Sequence, residues 1–310
     1  MKFKQLRRNI RVILKQIVGN IITHYNKNRK KPTKINVFLE SIYFFLSNNS
    51  WPDFRKPKTF SEYIGHMKFY GDLEKMANVS DKIKVMEKVK KEVGEKYLLK
   101  TYDILDKFDD VDKSKYEFYP KPFVAKPNNA SNRIFINTNN DFKLFKNSVK
   151  SFFEEYGNYA QELHYKLIPP KLLVQEFINP SDDQVYDFKF YVFNGRVELI
   201  LVHPNLLENK SMGVYKAMFY TREWEKSDIQ RRYINENTID RPKCLSEMIN
   251  VAETLSKGWM FMRIDMYLYD NIIKFGEMTP MPLGGRGSFT SASADKLLYD
   301  RYLGPKTPIT

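Results

Sequence analysis

Cysteine is almost absent: Cys244 is the only one among 310 residues. That excludes a disulfide within the chain and any thiolate metal cluster, and a reducing cytoplasm is the natural setting. Histidine is scarce too. His24, His66, His164 and His203 are the only four, and they lack the spacing of an HExxH metal motif. No window approaches eighteen uncharged apolar residues, so a membrane-spanning helix is not expected. Internal repeats and low-complexity stretches are missing as well.

What is present describes a folded and strongly basic chain. The length allows a large core and roughly two domains. Hydrophobic content of 42 % and aromatic content of 15 % are too high for a disordered chain. Lys and Arg number 51 against 37 Asp and Glu, a formal charge of +14. Such an excess favours anionic partners: nucleotides, acidic glycans or anionic lipid heads. The chain is also rich in Lys, Asn, Ile, Phe and Tyr, so coding bias can account for part of the excess. Nothing resembles an RNA- or DNA-binding motif, and nucleic acid is the least favoured partner.

The first thirty residues are basic and helical in period. Phe3, Leu6, Ile10, Ile13, Leu14, Ile17 and Ile21 recur at steps of three and four, with Lys2, Lys4, Arg7, Arg8, Arg11 and Lys15 between them. The uncharged core is too short for a secretory signal. Such a helix either lies on an anionic membrane surface, giving residues 1–30 a peripheral contact at its inner face, or packs on the domain with its basic face solvated.

Helical patterning continues to about Lys100, followed by polar turns and then strand signals. "KPFVAK" and "NRIFINT" flank a polar loop, and "DFKLFKNSVKSFFEEYG" has helical spacing closed by Gly157. "KLLVQEFI" reads as a buried strand. "DFKFYVFNGRVELILVHP" reads as a hairpin turning at Asn194-Gly195. Residues 205–243 read as irregular, and "CLSEMINVAETLSKG" as a helix closed by Gly258. The final hairpin turns at Asp270-Asn271. This is an α+β chain with mainly antiparallel sheets.

That final hairpin carries the chemistry. Arg263, Asp265 and Glu277 interrupt strands that are otherwise apolar. Two carboxylates held side by side in an apolar setting repel unless a cation or proton lies between them. Hard oxygen ligands of this kind suit Mg²⁺, which keeps waters and binds phosphate oxygens as well. Arg263 shares a strand face with Asp265 and can offer a bidentate fork to phosphate. An ordinary ion pair at a strand end would need the same residues. Lys126 ends a second apolar strand before "PNNAS", and Asp187 and Lys189 share a face on a third. Singly these lysines read as solvated or snorkelling side chains. Together, on successive strands, they describe a clamp for a Mg–nucleotide.

In order along the chain, "KPKTFSEYIGHMKFY", "VSDKIKVMEKVKKEVGEKYLL", "FVAKPNNAS", "VQEFI", "DFKFYVFNG", "MRIDMY" and "IIKFGEMT" resemble the TupA-like ATP-grasp proteins of surface polysaccharide and teichuronopeptide biosynthesis, over roughly residues 55–304. The resemblance implies an ATP-grasp fold, with two antiparallel-sheet lobes clasping ATP. It divides the chain into a basic helical leader (1–50), a helical region (51–120), a small ATP-binding lobe (121–180) and a catalytic lobe (181–310). It implies that Lys126, with Asn128 and Ser131 of the loop, meets the phosphates. Gln175, Glu176, Phe177 and Ile178 would meet adenine, Asp187 would lie near the ribose, and Lys189 on the phosphate side. Asp265 and Glu277 would hold Mg²⁺, and Arg263 would steady the transferred phosphate. The implied activity is a carboxylate–amine ligase that forms an acylphosphate on an anionic glycan, sugar acid or amino acid in capsule or O-antigen assembly. A glycan phosphotransferase on the same fold is the alternative. The family's glycines after the lysine are replaced here by Asn128, Asn129, Ala130, Ser131 and Asn132, which motivates a third reading, a nucleotide-binding scaffold without turnover. Thr279 stands where many ATP-grasp enzymes carry an asparagine metal ligand, and is ordinary in the TupA-like group. The segment from Asn205 to Lys243, with Lys210, Lys216, Arg222, Arg231 and Arg232 among Tyr215, Phe219, Tyr220 and Trp224, would shape the acceptor site.

Overall fold

The computed structural model describes residues 2–27, 29, 31–131, 133–154, 162–180, 184–204, 217–229, 238–286, 289 and 292–304. The chain forms two compact units. One comprises residues 1–75, 157–167 and 281–310, the other residues 76–156 and 168–280.

The first unit is built from helices α1 (Lys2–Asn26), α2 (Lys34–Asn48) and α3 (Phe60–Tyr70), with a later helix at Ala292–Tyr302. Local chemistry sets their ends. Thr33 accepts from the Asn36 amide while Asn36 Oδ1 accepts from the Thr33 amide at 2.8 Å, a reciprocal capping box at the start of α2. Asn49 closes that helix in the left-handed region, φ 65°. Thr59 caps α3 by accepting from the Glu62 amide at 3.1 Å. Inside the unit, Glu40 accepts from Arg286 Nε at 2.7 Å and Nη2 at 2.8 Å, and pairs with Lys68 Nζ at 3.1 Å. Burial pulls the Lys68 ammonium down to about 8, Glu40 opposing and Arg286 adding to the shift. Burial pushes Glu40 the other way, but its two cations outweigh that and hold it below the usual carboxylate range.

Asp295 shows the opposite balance. Its Oδ1 accepts the Ser61 amide at 3.0 Å beside the capped end of α3, yet burial dominates and pushes its carboxyl from 3.8 to about 6. The native state therefore keeps this proton to higher pH than the unfolded chain does. Stability from this group is complete below pH 3.8 and is lost as pH rises through about 6, by roughly 3 kcal/mol at most. Urea unfolding across that window should show wild type losing stability relative to Asp295→Asn as pH rises. Parallel profiles would refute the assignment.

The second unit holds both sheets. Strands β1 (Thr101–Leu105), β2 (Phe123–Pro127), β3 (Phe135–Asn137) and β4 (Leu172–Glu176) form a four-stranded antiparallel sheet in the order β1-β4-β2-β3. Strands β5 (Tyr186–Phe193), β6 (Arg196–His203), β7 (Met218–Thr221), β8 (Phe261–Tyr269) and β9 (Ile272–Thr279) form a five-stranded antiparallel sheet in the order β7-β6-β5-β8-β9. The α-helices described here are α4 (Leu73–Ser80), α5 (Lys82–Glu92), α6 (Lys113–Phe118), α7 (Phe142–Val149) and α8 (Leu245–Leu255), α4 beginning in the first unit. The core of the larger sheet is Phe188, Phe190, Ile200, Val202, Met262 and Ile264 against Val85 and Val89 of α5 and Met248 and Ala252 of α8. The smaller sheet buries Phe123 and Val174 against Tyr116 and Phe145.

The α+β class and antiparallel sheets are as the patterning predicts. Both hairpin turns put two consecutive residues at positive φ: 51° and 79° at Asn194-Gly195, 46° and 60° at Asp270-Asn271. Three details differ. Residues 101–105, expected among polar turns, form β1, a five-residue edge strand paired on one side with β4. Residues 218–221, expected to be irregular, form β7, whose four residues are too few for a period to show. The helix starting at Phe142 gives way to a 3₁₀ turn at Lys150–Phe153, and Gly157 lies outside the described residues.

Candidate active site

Strand pairing brings the predicted residues of the larger sheet together. Lys189 on β5 stands opposite Asp265 on β8, and Asp265 stands opposite Glu277 on β9. Beyond Asp265 the ladder shifts register, with Met266 facing Phe275, so Gly276 is the extra residue of a bulge. A Cβ at Gly276 would lie 3.1 Å from the Asp265 carbonyl oxygen. Glycine therefore lets the two acid-bearing backbones approach.

The side chains form one connected group. Arg263 donates from Nε to Asp265 Oδ1 at 2.6 Å and from Nη2 to Asp265 Oδ2 at 2.8 Å. The same Nη2 reaches Glu277 Oε1 at 2.6 Å and Thr279 Oγ1 at 3.1 Å, and Thr279 donates to Glu277 at 2.9 Å. Lys189 Nζ lies 2.7 Å from Asp265 Oδ2 and 2.8 Å from Asp187 Oδ2. Asp187, expected beside a ribose, is thus grouped with the acids, and its Oδ1 is buried without a hydrogen-bond partner.

Burial disfavours charge here, and the neighbours outweigh it at Glu277, Lys189 and Arg263 but not at Asp265. Burial raises Asp265 above the usual carboxylate range, and Glu277 and Asp187 add to that, although Arg263 and Lys189 oppose it. Burial would raise Glu277 as well, but Arg263, Lys82 and Lys189 hold it at about 2. Burial would lower Lys189, and its two aspartates more than offset that. Arg263 is raised for the same reason by Asp265 and Glu277. The acids thus share Arg263 and Lys189, with Lys82 acting on Glu277 as well, and a further cation beside Asp265 would oppose the burial that favours its proton.

The smaller sheet carries Lys126 and the loop expected to meet the phosphates. Lys126 is half-buried on β2 opposite Leu173. The loop after it is braced rather than open. Asn128 donates from Nδ2 to Asp81 Oδ1 and to the Pro169 carbonyl, both at 3.1 Å, and accepts from the Lys171 amide at 2.7 Å. Its side chain is committed to holding the loop. Asn129 is buried with an unpartnered Oδ1, Ser131 is half-buried, and Asn132 lies outside the described residues. Gln175 sits within β4, its amide donating to Thr101 Oγ1 at 3.1 Å, and the Glu176 amide is used by the Lys100 carbonyl. Phe177 and Ile178 continue beyond the end of the strand.

Lys82 is a residue that the sequence reading missed. It opens α5 directly after the cap Asp81, its Nζ donates to the Ala130 carbonyl, and its charge helps to hold Glu277 ionised. It therefore links the loop at Ala130 to the acid cluster. In the segment expected to shape the acceptor site, Arg222 is paired with Glu253, and Trp224 stacks on Tyr220 at 4.2 Å. Lys210, Tyr215, Lys216, Arg231 and Arg232 lie outside the described residues.

Two antiparallel sheets, one with a lysine-led loop and one with an acid–arginine cluster, define an ATP-grasp protein. The family model described as TupA-like ATPgrasp matches residues 62–303, and the chain belongs to that family. Solved structures similar to it include the D-alanine–D-alanine ligase of Helicobacter pylori (14 % identity, TM-score 0.40), with 67 % of this chain and 55 % of that one covered. The corresponding enzyme of Bacillus anthracis gives 16 % identity and TM-score 0.43, with 72 % and 64 % covered. A RimK domain ATP-grasp protein of Sphaerobacter thermophilus gives 12 % and 0.38, with 73 % and 67 % covered. The chain thus spans little more than half the length of the first of these. No curated protein matches it.

Proposed function

We propose that the protein is an ATP- and Mg²⁺-dependent carboxylate–amine ligase acting on an anionic glycan, sugar acid or amino acid during surface polysaccharide assembly. One observation carries the reading: the Arg263 guanidinium is forked between Asp265 and Glu277 on adjacent buried strands, with Lys189 on the other side of Asp265. The donor set fits a hard divalent cation, because Glu277 stays ionised and a buried Asp187 oxygen lacks a partner. Among the described residues no group of three or more His, Cys, Asp or Glu surrounds a metal position. Asp265 and Glu277 would therefore contribute alongside waters and phosphate oxygens, the usual mode for Mg²⁺. When bound, the ion supplies charge neutralisation at the phosphates.

The chain's own residues do the rest. Lys126 and Lys82 bring positive charge to the phosphate-side loop, and Asn128 keeps that loop in place. Lys189 and Arg263 stand ready for oxygens that gain charge as the phosphoryl group moves, at no cost of reorganisation, since the acids already hold them in place. An acceptor carboxylate takes the phosphoryl group, ADP leaves, and the amine then replaces phosphate on the acyl carbon.

The fate of the phosphoryl group tests the reading. Full-length protein with Mg-ATP, a panel of uronic and amino-acid carboxylates and hydroxylamine should yield a hydroxamate together with inorganic phosphate. A phosphorylated glycan without hydroxamate would establish the phosphotransferase instead. ATP binding without ADP formation over the panel would favour the scaffold.

A further inference from the structure

Helix α1 is held firmly at one end. Lys166 Nζ donates to the carbonyls of Asn26, Lys27 and Arg29 at 2.5, 2.7 and 3.0 Å, a charged cap on the helix terminus. Its packed stripe is polar in part. Arg11 donates to Asn49 just past α2, Lys15 Nζ lies 5.2 Å from the Tyr43 ring centre, and Ile22 and Asn26 are buried. The apolar stripe points the other way. Leu6, Ile10, Ile13, Leu14, Ile17 and Ile21 are 41–55 % exposed, the reverse of a surface helix packed by its apolar face. Helix α2 repeats the pattern with Ile35, Phe38 and Phe45 exposed, and Trp51 follows at 57 % with its ring 6.3 Å from Phe38 and 6.2 Å from Phe45.

Charge distinguishes the occupant. Eleven of the 51 Lys and Arg precede the first acidic residue, Glu40. Glu40 is itself buried and paired with Arg286 and Lys68. No other acid occurs before Asp53. The helical pair therefore shows exposed apolar side chains within a strongly positive segment that has no exposed negative charge. A second copy of the chain would bring like charge against like. A bilayer with anionic lipid takes both features at once: the aliphatic side chains enter the acyl boundary, the Trp and Phe rings suit the headgroup level, and the cations meet lipid phosphates. No helix among the described residues is long and apolar enough to cross a membrane, so the contact would lie in the interface plane.

We infer that α1 and α2 form a docking surface for an anionic lipid bilayer, independent of the ligase reading. Full-length protein should sediment with phosphatidylcholine vesicles containing phosphatidylglycerol and not with phosphatidylcholine alone. Binding should weaken as salt shortens the screening length from about 10 Å at 0.1 M toward 3 Å at 1 M. The double variant Ile13→Asp/Ile17→Asp should lose at least roughly 10²-fold in vesicle affinity, the scale for two aliphatic side chains leaving an apolar phase. Its melting temperature should stay near wild type, because both side chains are already about half exposed. Unchanged sedimentation of the double variant, or none by wild type with phosphatidylglycerol, would overturn the inference. So would light scattering showing a dimer that the two substitutions disperse, since a second copy would then cover the face.

Discussion

Arg263→Ala is expected to lower hydroxamate formation by roughly 10²–10³-fold, the scale for losing one preorganised donor at a developing oxyanion. The reason is double. Arg263 is the group that the two acids hold in common, through three bonds of 2.6–2.8 Å, and without it Asp265 and Glu277 face each other across the strand pair with Lys189 and the charge of Lys82 to offset them. Asp265, already raised by burial, would then take up a proton more readily and would serve poorly as an anionic ligand. Arg263→Lys separates charge from geometry, since a lysine keeps the charge but cannot fork between two carboxylates. It should retain nucleotide binding and lose most turnover. Activity within about threefold of wild type in Arg263→Lys would show that the fork is unnecessary, and full activity in Arg263→Ala would remove this residue from the chemistry altogether.

How far these residues could be found without coordinates depends on sequence separation. Arg263, Asp265 and Glu277 were legible because charge in an apolar strand is conspicuous, but the register of the Asp270-Asn271 turn alone would put Asp265 opposite Gly276, and the bulge there is what brings Glu277 opposite it. Lys189 was legible as a lysine on a strand face, but its alignment with Asp265 across 76 residues depends on which strands become neighbours. The same pairing puts Asp187, expected near the ribose, beside the Lys189 ammonium that also meets Asp265. Lys82 was hidden because its neighbours, Asp81 and Ile83, explain themselves as a helix start; only the fold brings that start beside the loop at Ala130. Asn128 reads as a loop amide able to meet phosphate, and the bonds that commit it come from residues on either side of it in sequence, Asp81, Pro169 and Lys171. Helical period in α1 identified an apolar stripe correctly but carries no information about which way the stripe faces. Lys15 lies over Tyr43 of α2, Arg11 bonds Asn49 just past it, and Ile22 is buried, while the stripe stays exposed.

The acids should separate under substitution. Asp265 is almost fully buried and takes bonds from both Arg263 and Lys189. Removing it strands two buried cations with fewer partners, so Asp265→Ala should destabilise the fold by about 3–5 kcal/mol, the range for breaking a buried pair from one side. A loss of nucleotide response in that variant would be ambiguous. Glu277 is the more open of the two, 27 % exposed at the side chain, and its carboxyl is held near 2, so it stays charged at any working pH. Glu277→Gln keeps the shape and an acceptor oxygen for Arg263 and Thr279 while removing the anion. It should melt below wild type, since the anion that Arg263, Lys82 and Lys189 hold ionised contributes stability at working pH, and the nucleotide response is read against the variant's own baseline. In wild type, Mg-ATP at about 100 times its Kd should add about 2.7 kcal/mol of stability, seen as a rise in melting temperature that shrinks when a chelator is present. In Glu277→Gln the rise should be small and equal with and without chelator, because the protein oxygen that would share the ion has lost its charge. A chelator-sensitive rise of wild-type size in Glu277→Gln would place the divalent cation elsewhere, and the pairing of Asp265 with Glu277 would then be an ion-pair framework for Arg263 rather than a metal site.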